Sequence, residues 1–233
     1  MTVPFEIFAN GDALARHAAA WLLGLAQSKQ DRFALCLSGG STPRTLYELL
    51  AAPPYRDTFP WTRTHLFWGD ERFVPHADPL SNYRMTREAM LDRVPISAAN
   101  IHPVPTEGLT PDAAAAAYDA ELRAYHARDP DQPLFDVVLL GLGTDGHTAS
   151  LFPGSPALKE QERLAVAVVG TRPESRITLT YPALQSSRHV AFLVTGADKR
   201  PVFERIAAGS DDPAARVRSG GDLHWFVDRA AAP

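Results

Sequence analysis

The 233 residues are 45% hydrophobic and 21% charged, a balance that buries a core and excludes a mainly disordered or fibrous chain. Lys and Arg number 23 against 27 Asp and Glu, so the net charge of −4 provides no positive field to hold a nucleic-acid backbone by counterion release. A single cysteine, Cys36, excludes an intramolecular disulfide and a cysteine-built zinc site, and the length fits one domain over residues 1–233.

In chain order, the opening MTVPFEIFANGD offers no signal peptide, because Glu6 and Asp12 interrupt any apolar run. A lone thiol and no export signal point to the cytoplasm. Leu14, Ala18, Trp21, Leu22 and Leu25 share one face and predict a helix over Asp12–Gln27. Phe33–Leu37 reads as a buried strand. It runs into Ser38-Gly39-Gly40-Ser41-Thr42-Pro43 and then a helical stretch beginning Thr45-Leu46-Tyr47, with Thr42 as cap and Pro43 in the first turn. Thr64–Trp68 is the next strand, and Pro111–Arg128 is an alanine-rich helix with Thr110 as N-cap. Phe135–Leu140, Leu164–Val169, Ile177–Thr180 and Val190–Val194 complete the strand candidates. Alternation of strands with helical stretches predicts an α/β fold, a mostly parallel sheet flanked by helices in a single domain. The longest apolar runs, Val137–Leu140 and Leu164–Val169, fall far short of the roughly 20 residues that span a bilayer, so no membrane partner is expected.

Three strand ends carry polar chemistry. The glycines Gly39 and Gly40 let backbone approach a ligand closely, and the free N–H groups of the following helix start, at Ser41 and Thr42, face an anion; the segment reads either as a phosphate cradle or as an ordinary capped turn. Asp70, Glu71 and Arg72 crowd the end of the second apolar strand, where open α/β sheets bind ligands, although a solvated ion pair has the same composition. The third segment, Gly141-Leu-Gly143-Thr-Asp145-Gly146-His147, matches a dinucleotide fingerprint only literally. Pro153-Gly154 cuts its helix short, the next strand ends in Gly170-Thr171 without an acid, and His147 occupies the place of a P-loop lysine. What remains is an imidazole two residues from a carboxylate, a pattern suited to a general base, His147, with an orienting acid, Asp145. No Gly-x-Ser-x-Gly elbow occurs, the eight histidines lack the His-Glu-x-x-His spacing of a metal site, and Cys36 lies inside an apolar strand as core.

Together, Ser38–Pro43, Trp68-Gly-Asp-Glu-Arg72, Ser81-Asn82-Tyr83 and Gly141–Pro153 resemble, in order and over essentially the whole chain, the 6-phosphogluconolactonase family. The resemblance implies a Rossmann-like sheet with a sugar-phosphate site at its strand ends and hydrolysis of 6-phospho-D-glucono-1,5-lactone in the oxidative pentose phosphate pathway. No metal, organic cofactor or obligatory protein partner is implied. It singles out Arg176 and Lys199 as phosphate ligands beside Gly39, Gly40, Ser41 and Thr42. It also makes Arg72 a candidate for charge stabilisation or substrate grip, Asn82 a candidate for sugar hydroxyls, and Asp145 or Asp70 the group that orients His147. Two alternatives stay open. Glucosamine-6-phosphate deaminases resemble the chain at Asp70, Asp145 and His147, but carry an acid after the histidine where this sequence has Thr148-Ala-Ser-Leu-Phe-Pro153. A non-catalytic sugar-phosphate sensor is the other.

Overall fold

The computed structural model describes residues 5–233, so residues 1–4 of the opening stretch discussed above lie outside the described residues. In chain order the elements are β1 (Glu6–Phe8), α1 (Gly11–Ser28), β2 (Phe33–Leu37), α2 (Ser41–Leu50), α3 (Tyr55–Thr58), β3 (Thr64–Trp68), β4 (Asp70–Arg72), α4 (Asn82–Ala89) and β5 (Ile101–His102). There follow α5 (Pro111–His126), β6 (Phe135–Leu140), β7 (Ala165–Val168), β8 (Arg176–Leu179), α6 (Tyr181–Gln185), β9 (Ser187–Val194), α7 (Arg200–Ala207) and β10 (Asp222–Asp228). Asn10 opens α1 by accepting the Ala13 N–H at 2.9 Å, and Thr110 accepts the Ala113 N–H at 3.3 Å at the start of α5, with Pro111 in its first turn.

Seven strands form one parallel sheet in the order β1-β10-β9-β6-β2-β3-β5. Every residue of β2 and β6 is buried, as expected of central strands covered by helices on both faces. From β2 the chain winds outward through β3 and β5, then returns to place β6 on the other side of β2. The strand order therefore reverses between β2 and β6, and a crevice opens at the carboxyl ends of that pair, between the start of α2 and the turn that follows β6.

Two strand candidates do not enter this sheet. Leu164–Val169 and Ile177–Thr180 become β7 and β8, which with β4 build a separate three-stranded antiparallel sheet in the order β4-β8-β7. Residues 169–175 are too short a connection for a parallel crossover, which needs about a dozen residues or more, so the two strands fold back on each other. Gly69 joins the sheets: its N–H donates to Leu37 O and its carbonyl accepts from Leu179 N, both at 2.8 Å. A single hydrophobic cluster runs beneath both sheets.

Two further details depart from expectation. The cap of α2 is Gly40, at φ 110°, and not Thr42, whose hydroxyl instead bonds the Thr195 hydroxyl at 2.6 Å. After His147 the chain makes a tight turn rather than even a short helix, with Ala149 at φ 47°. Among the described residues no helix is long and apolar enough to cross a membrane.

Candidate active site

The crevice between β2 and β6 is a cleft of about 220 Å³, lined from four strand ends. Ser38, Gly39 and Gly40 follow β2, Asp70 and Arg72 follow β3, Gly141, Gly143 and His147 follow β6, and Lys199 follows β9. Two buried tyrosines stiffen this rim. Tyr47 donates its hydroxyl to Ser38 O and accepts from Ser38 N, and Tyr118 does the same at Trp68, with all four distances at 2.8–2.9 Å. The last backbone groups of β2 and β3 are thereby satisfied without a further strand.

At the end of β6, His147 Nδ1 lies 2.5 Å from Asp145 Oδ1, which also accepts the His147 backbone N–H at 3.2 Å. Gly143 makes the approach possible, since a Cβ there would stand 2.0 Å from His147 Nδ1. The other Asp145 oxygen accepts from Arg172 Nη2 at 2.6 Å. Burial pushes the Asp145 pKa up, but the hydrogen bonds and charge of His147, with Arg172 behind them, hold it below the usual carboxylate range. An ionised carboxylate accepts only, so Nδ1 carries the proton and Nε2 is left as the ring nitrogen able to take one. Phe152 closes the group: its ring packs 4.7 Å from the His147 ring, and the Arg172 guanidinium lies over it at 4.5 Å.

Beside this pair, β4 presents alternate residues to opposite sides. Asp70 accepts from the Ser150 hydroxyl at 2.7 Å and weakly from Asn82 Nδ2 at 3.4 Å, while Asn82 Nδ2 donates to the Asp70 carbonyl at 2.9 Å. Asn82 stands so close to Gly39 that a Cβ at 39 would lie 2.0 Å from its Oδ1. Glu71 points into the protein, 1% exposed, and accepts from the backbone N–H groups of Arg72, Asn82 and Tyr83 and from the Ser81 hydroxyl at 2.7–3.0 Å. It locks the first turn of α4 to the strand. Burial raises the Glu71 pKa despite those donors.

The opposite wall is cationic. Arg72 and Arg176 are register partners across β4 and β8, so both guanidiniums leave the same face. Burial first and the Arg72 charge second lower the Arg176 pKa, and Arg176 Nε is buried with no hydrogen-bond partner. Lys199 stands at the start of α7, its Nζ 3.1 Å from Asp198. Across from it, α2 presents its unpaired first N–H groups behind Gly40.

The structure thus gathers Gly39, Gly40, Asp70, Arg72, Asn82, His147 and Lys199 around one cleft. Asp145 stands behind His147, Arg176 stands across the strand pair from Arg72, and Ser41 and Thr42 form the start of α2 outside the cleft lining. Asp145, and not Asp70, is the carboxylate bonded to the imidazole. Sequence reasoning missed Arg172, Phe152, Ser150 and Glu71 as parts of this arrangement. Glu71 lies inside an already charged segment, and Ser150 and Phe152 inside the Gly141–Pro153 segment, whereas Arg172 gave no signal.

A family model described as glucosamine-6-phosphate isomerases/6-phosphogluconolactonase matches residues 9–225. The chain is 45% identical over 214 residues to a 6-phosphogluconolactonase of Nostoc sp., covering 90% of this chain and 87% of that one. It is also 45% identical over 202 residues to a 6-phosphogluconolactonase of Synechocystis sp., covering 84% and 82% of the two chains. Its structure matches the crystal structure of a 6-phosphogluconolactonase from Thermotoga maritima with a TM-score of 0.84 at 31% identity, over 98% of this chain and 99% of that one.

Proposed function

The chain belongs to the glucosamine-6-phosphate isomerase/6-phosphogluconolactonase family, as an enzyme that opens 6-phosphogluconolactone by hydrolysis, and we propose that His147 is the base that activates the attacking water. The observation that carries this reading is the Asp145–His147 pair, which fixes one ring nitrogen as donor and leaves Nε2 as acceptor at the cleft. The substrate phosphate rests on the start of α2 at Gly40, Ser41 and Thr42, with Gly39 giving room and Lys199 and Arg176 supplying charge. That remote grip brings the C1 carbonyl of 6-phospho-D-glucono-1,5-lactone to His147 and holds it there for attack. His147 Nε2 takes a proton from water as the water oxygen bonds to C1. It returns a proton to the ring oxygen when the C1–O bond breaks, giving 6-phospho-D-gluconate. Asp145 stabilises the imidazolium between those steps, Arg72 faces the negative charge that develops on the carbonyl oxygen, and Asn82 meets a sugar hydroxyl.

This reading treats residues 1–233 as one domain in the cytoplasm, with no partner protein, nucleic acid or cofactor in the reaction. It is tested by measuring 6-phosphogluconate formed from freshly made lactone, corrected for spontaneous hydrolysis, with wild-type and His147→Ala protein. Wild type should accelerate the reaction, and the variant should lose on the order of 10²- to 10⁴-fold in kcat. Near-normal turnover in folded His147→Ala removes the residue from the mechanism.

A further inference from the structure

At the end of the sheet opposite the cleft, β9 and β10 bring together three ligating side chains that lie far apart in the sequence. Asp222 is the register partner of His189, and His224 follows two residues on, so all three leave one face of the sheet. One ligating atom from each lies within 4.8 Å of the others, and His189 Nδ1 is 3.3 Å from Asp222 Oδ2. His189 Nδ1 and His224 Nε2 are both buried and have no hydrogen-bond partner. Two orphaned imidazole nitrogens beside a carboxylate leave a polar group set unsatisfied in the protein alone, at a free-energy cost that a bound cation would relieve.

We propose that His189, Asp222 and His224 form a binding site for a zinc-like divalent transition ion, separate from the active site. Zinc takes imidazole nitrogen and carboxylate oxygen at about 2.0–2.2 Å, which sets neighbouring ligands of a tetrahedral ion about 3.3 Å apart. The His189–Asp222 pair already has that separation. Asp222 is 70% exposed and closes the wider gap by turning about its own side-chain bonds, leaving the fourth position to solvent. The two imidazole rings, with centroids 5.7 Å apart, need little change. Trp21 packs edge-on against both, at 5.8 Å and 5.1 Å, and Phe226 packs on His224, so one side of the site is apolar. Arg188 and Asp136 add opposite charges near His189.

Zinc chloride titrated into the metal-stripped full chain, followed by calorimetry and by tryptophan fluorescence, tests this. One equivalent should bind, with a fluorescence change that disappears in Trp21→Phe. His189→Ala and His224→Ala should each weaken binding by about tenfold or more. The exposed Asp222→Asn variant, with little packing to lose, should weaken it as well. Binding must survive His147→Ala, and lactone turnover should be the same in the three site variants as in wild type, which also reports that they fold. Absence of saturable zinc binding overturns the proposal. So does binding that is lost in His147→Ala but unchanged in His189→Ala, which would place the ion on the Asp145–His147 pair.

Discussion

Replacing Gly143 by alanine separates the geometry of the His147–Asp145 pair from the stability of the fold. Gly143 is not among the positive-φ residues, so its backbone accepts alanine without strain. Its Cβ, however, would stand 2.0 Å from His147 Nδ1 and 2.8 Å from Asp145 Oδ1. Non-bonded contact settles near 3.5 Å, so the imidazole must retreat by about 1.5 Å. A retreat of that size breaks the 2.5 Å contact to Asp145. Displacing a reacting group by about 1 Å costs about 10²-fold in rate, and losing a positioned base altogether costs 10²- to 10⁴-fold. Gly143→Ala should therefore lose on the order of 10²-fold in kcat, with KM little changed because the proposed phosphate contacts lie elsewhere. Its unfolding midpoint in denaturant should stay near wild type. A double-mutant cycle sharpens the test. With His147 already alanine there is no imidazole to displace, so adding the alanine at 143 should cost less than about threefold. Full turnover in folded Gly143→Ala, or an equal loss in both backgrounds, refutes the reasoning.

Three other perturbations address the rest of the site. If Lys199 grips the substrate phosphate as proposed, equally before and during reaction, Lys199→Ala should raise KM with kcat nearly kept, and an unchanged KM in steady-state assays counts against the phosphate assignment. Glu71→Gln puts an amide where a buried carboxylate accepts four donors; the amide has one acceptor oxygen and turns its own donors on the others. Urea unfolding should show a loss of about 2–4 kcal/mol, and a loss under 1 kcal/mol would mean that the clamp on α4 is dispensable. Asp145, depressed below its ordinary 3.8, binds fewer protons folded than unfolded between those two values. Its stabilising contribution is complete above about pH 4 and is lost as pH falls through the depressed value. Asp145→Asn should lose stability less steeply than wild type below pH 4, and parallel acid-unfolding curves would refute this.

The helices α1 and α5 were legible because their apolar spacing and caps are local, and β2 and β6 because a run of buried aliphatics leaves little else to form. His147 and Asp145 were legible as neighbours in one glycine-rich segment. What could not be read is what depends on chain reversal. Arg172 reaches Asp145 only because β7 and β8 fold back as an antiparallel pair, and nothing in the composition of Leu164–Val169 distinguishes that from a parallel strand. Thr42 has the chemistry of an N-cap, yet its hydroxyl meets Thr195 at the end of β9, two strands along the sheet, and Gly40 takes the cap instead. His189, Asp222 and His224 are likewise adjacent only through strand register.

The small antiparallel sheet explains why the cleft is rigid and what chemistry it favours. Asp70 pairs in register with Thr178, and Arg72 with Arg176, so four polar side chains leave one face of β4 and β8 while Glu71 and Ile177 leave the other. Asp70 accepts the Ser150 hydroxyl and Thr178 accepts the Ser150 N–H at 3.1 Å, while Thr148 donates its hydroxyl to Gly141 O at 2.9 Å. Ala149, between them, is held at φ 47°, a left-handed conformation that costs about 1 kcal/mol or more for a residue with a Cβ. Flanking bonds from three directions maintain that strain, and the turn that carries His147 is fixed before substrate arrives. The same bonds bear on the deaminase alternative. A carboxylate that removes a carbon-bound proton must present a free oxygen to its substrate. Asp70 commits one oxygen to Ser150 and turns the other toward Asn82. The segment after His147 supplies Thr148 and Ser150 where ring opening would use an acid. One imidazole with its carboxylate is then the His–carboxylate pair bonded together at the cleft, and one such pair suffices for the proposed hydrolysis of a lactone.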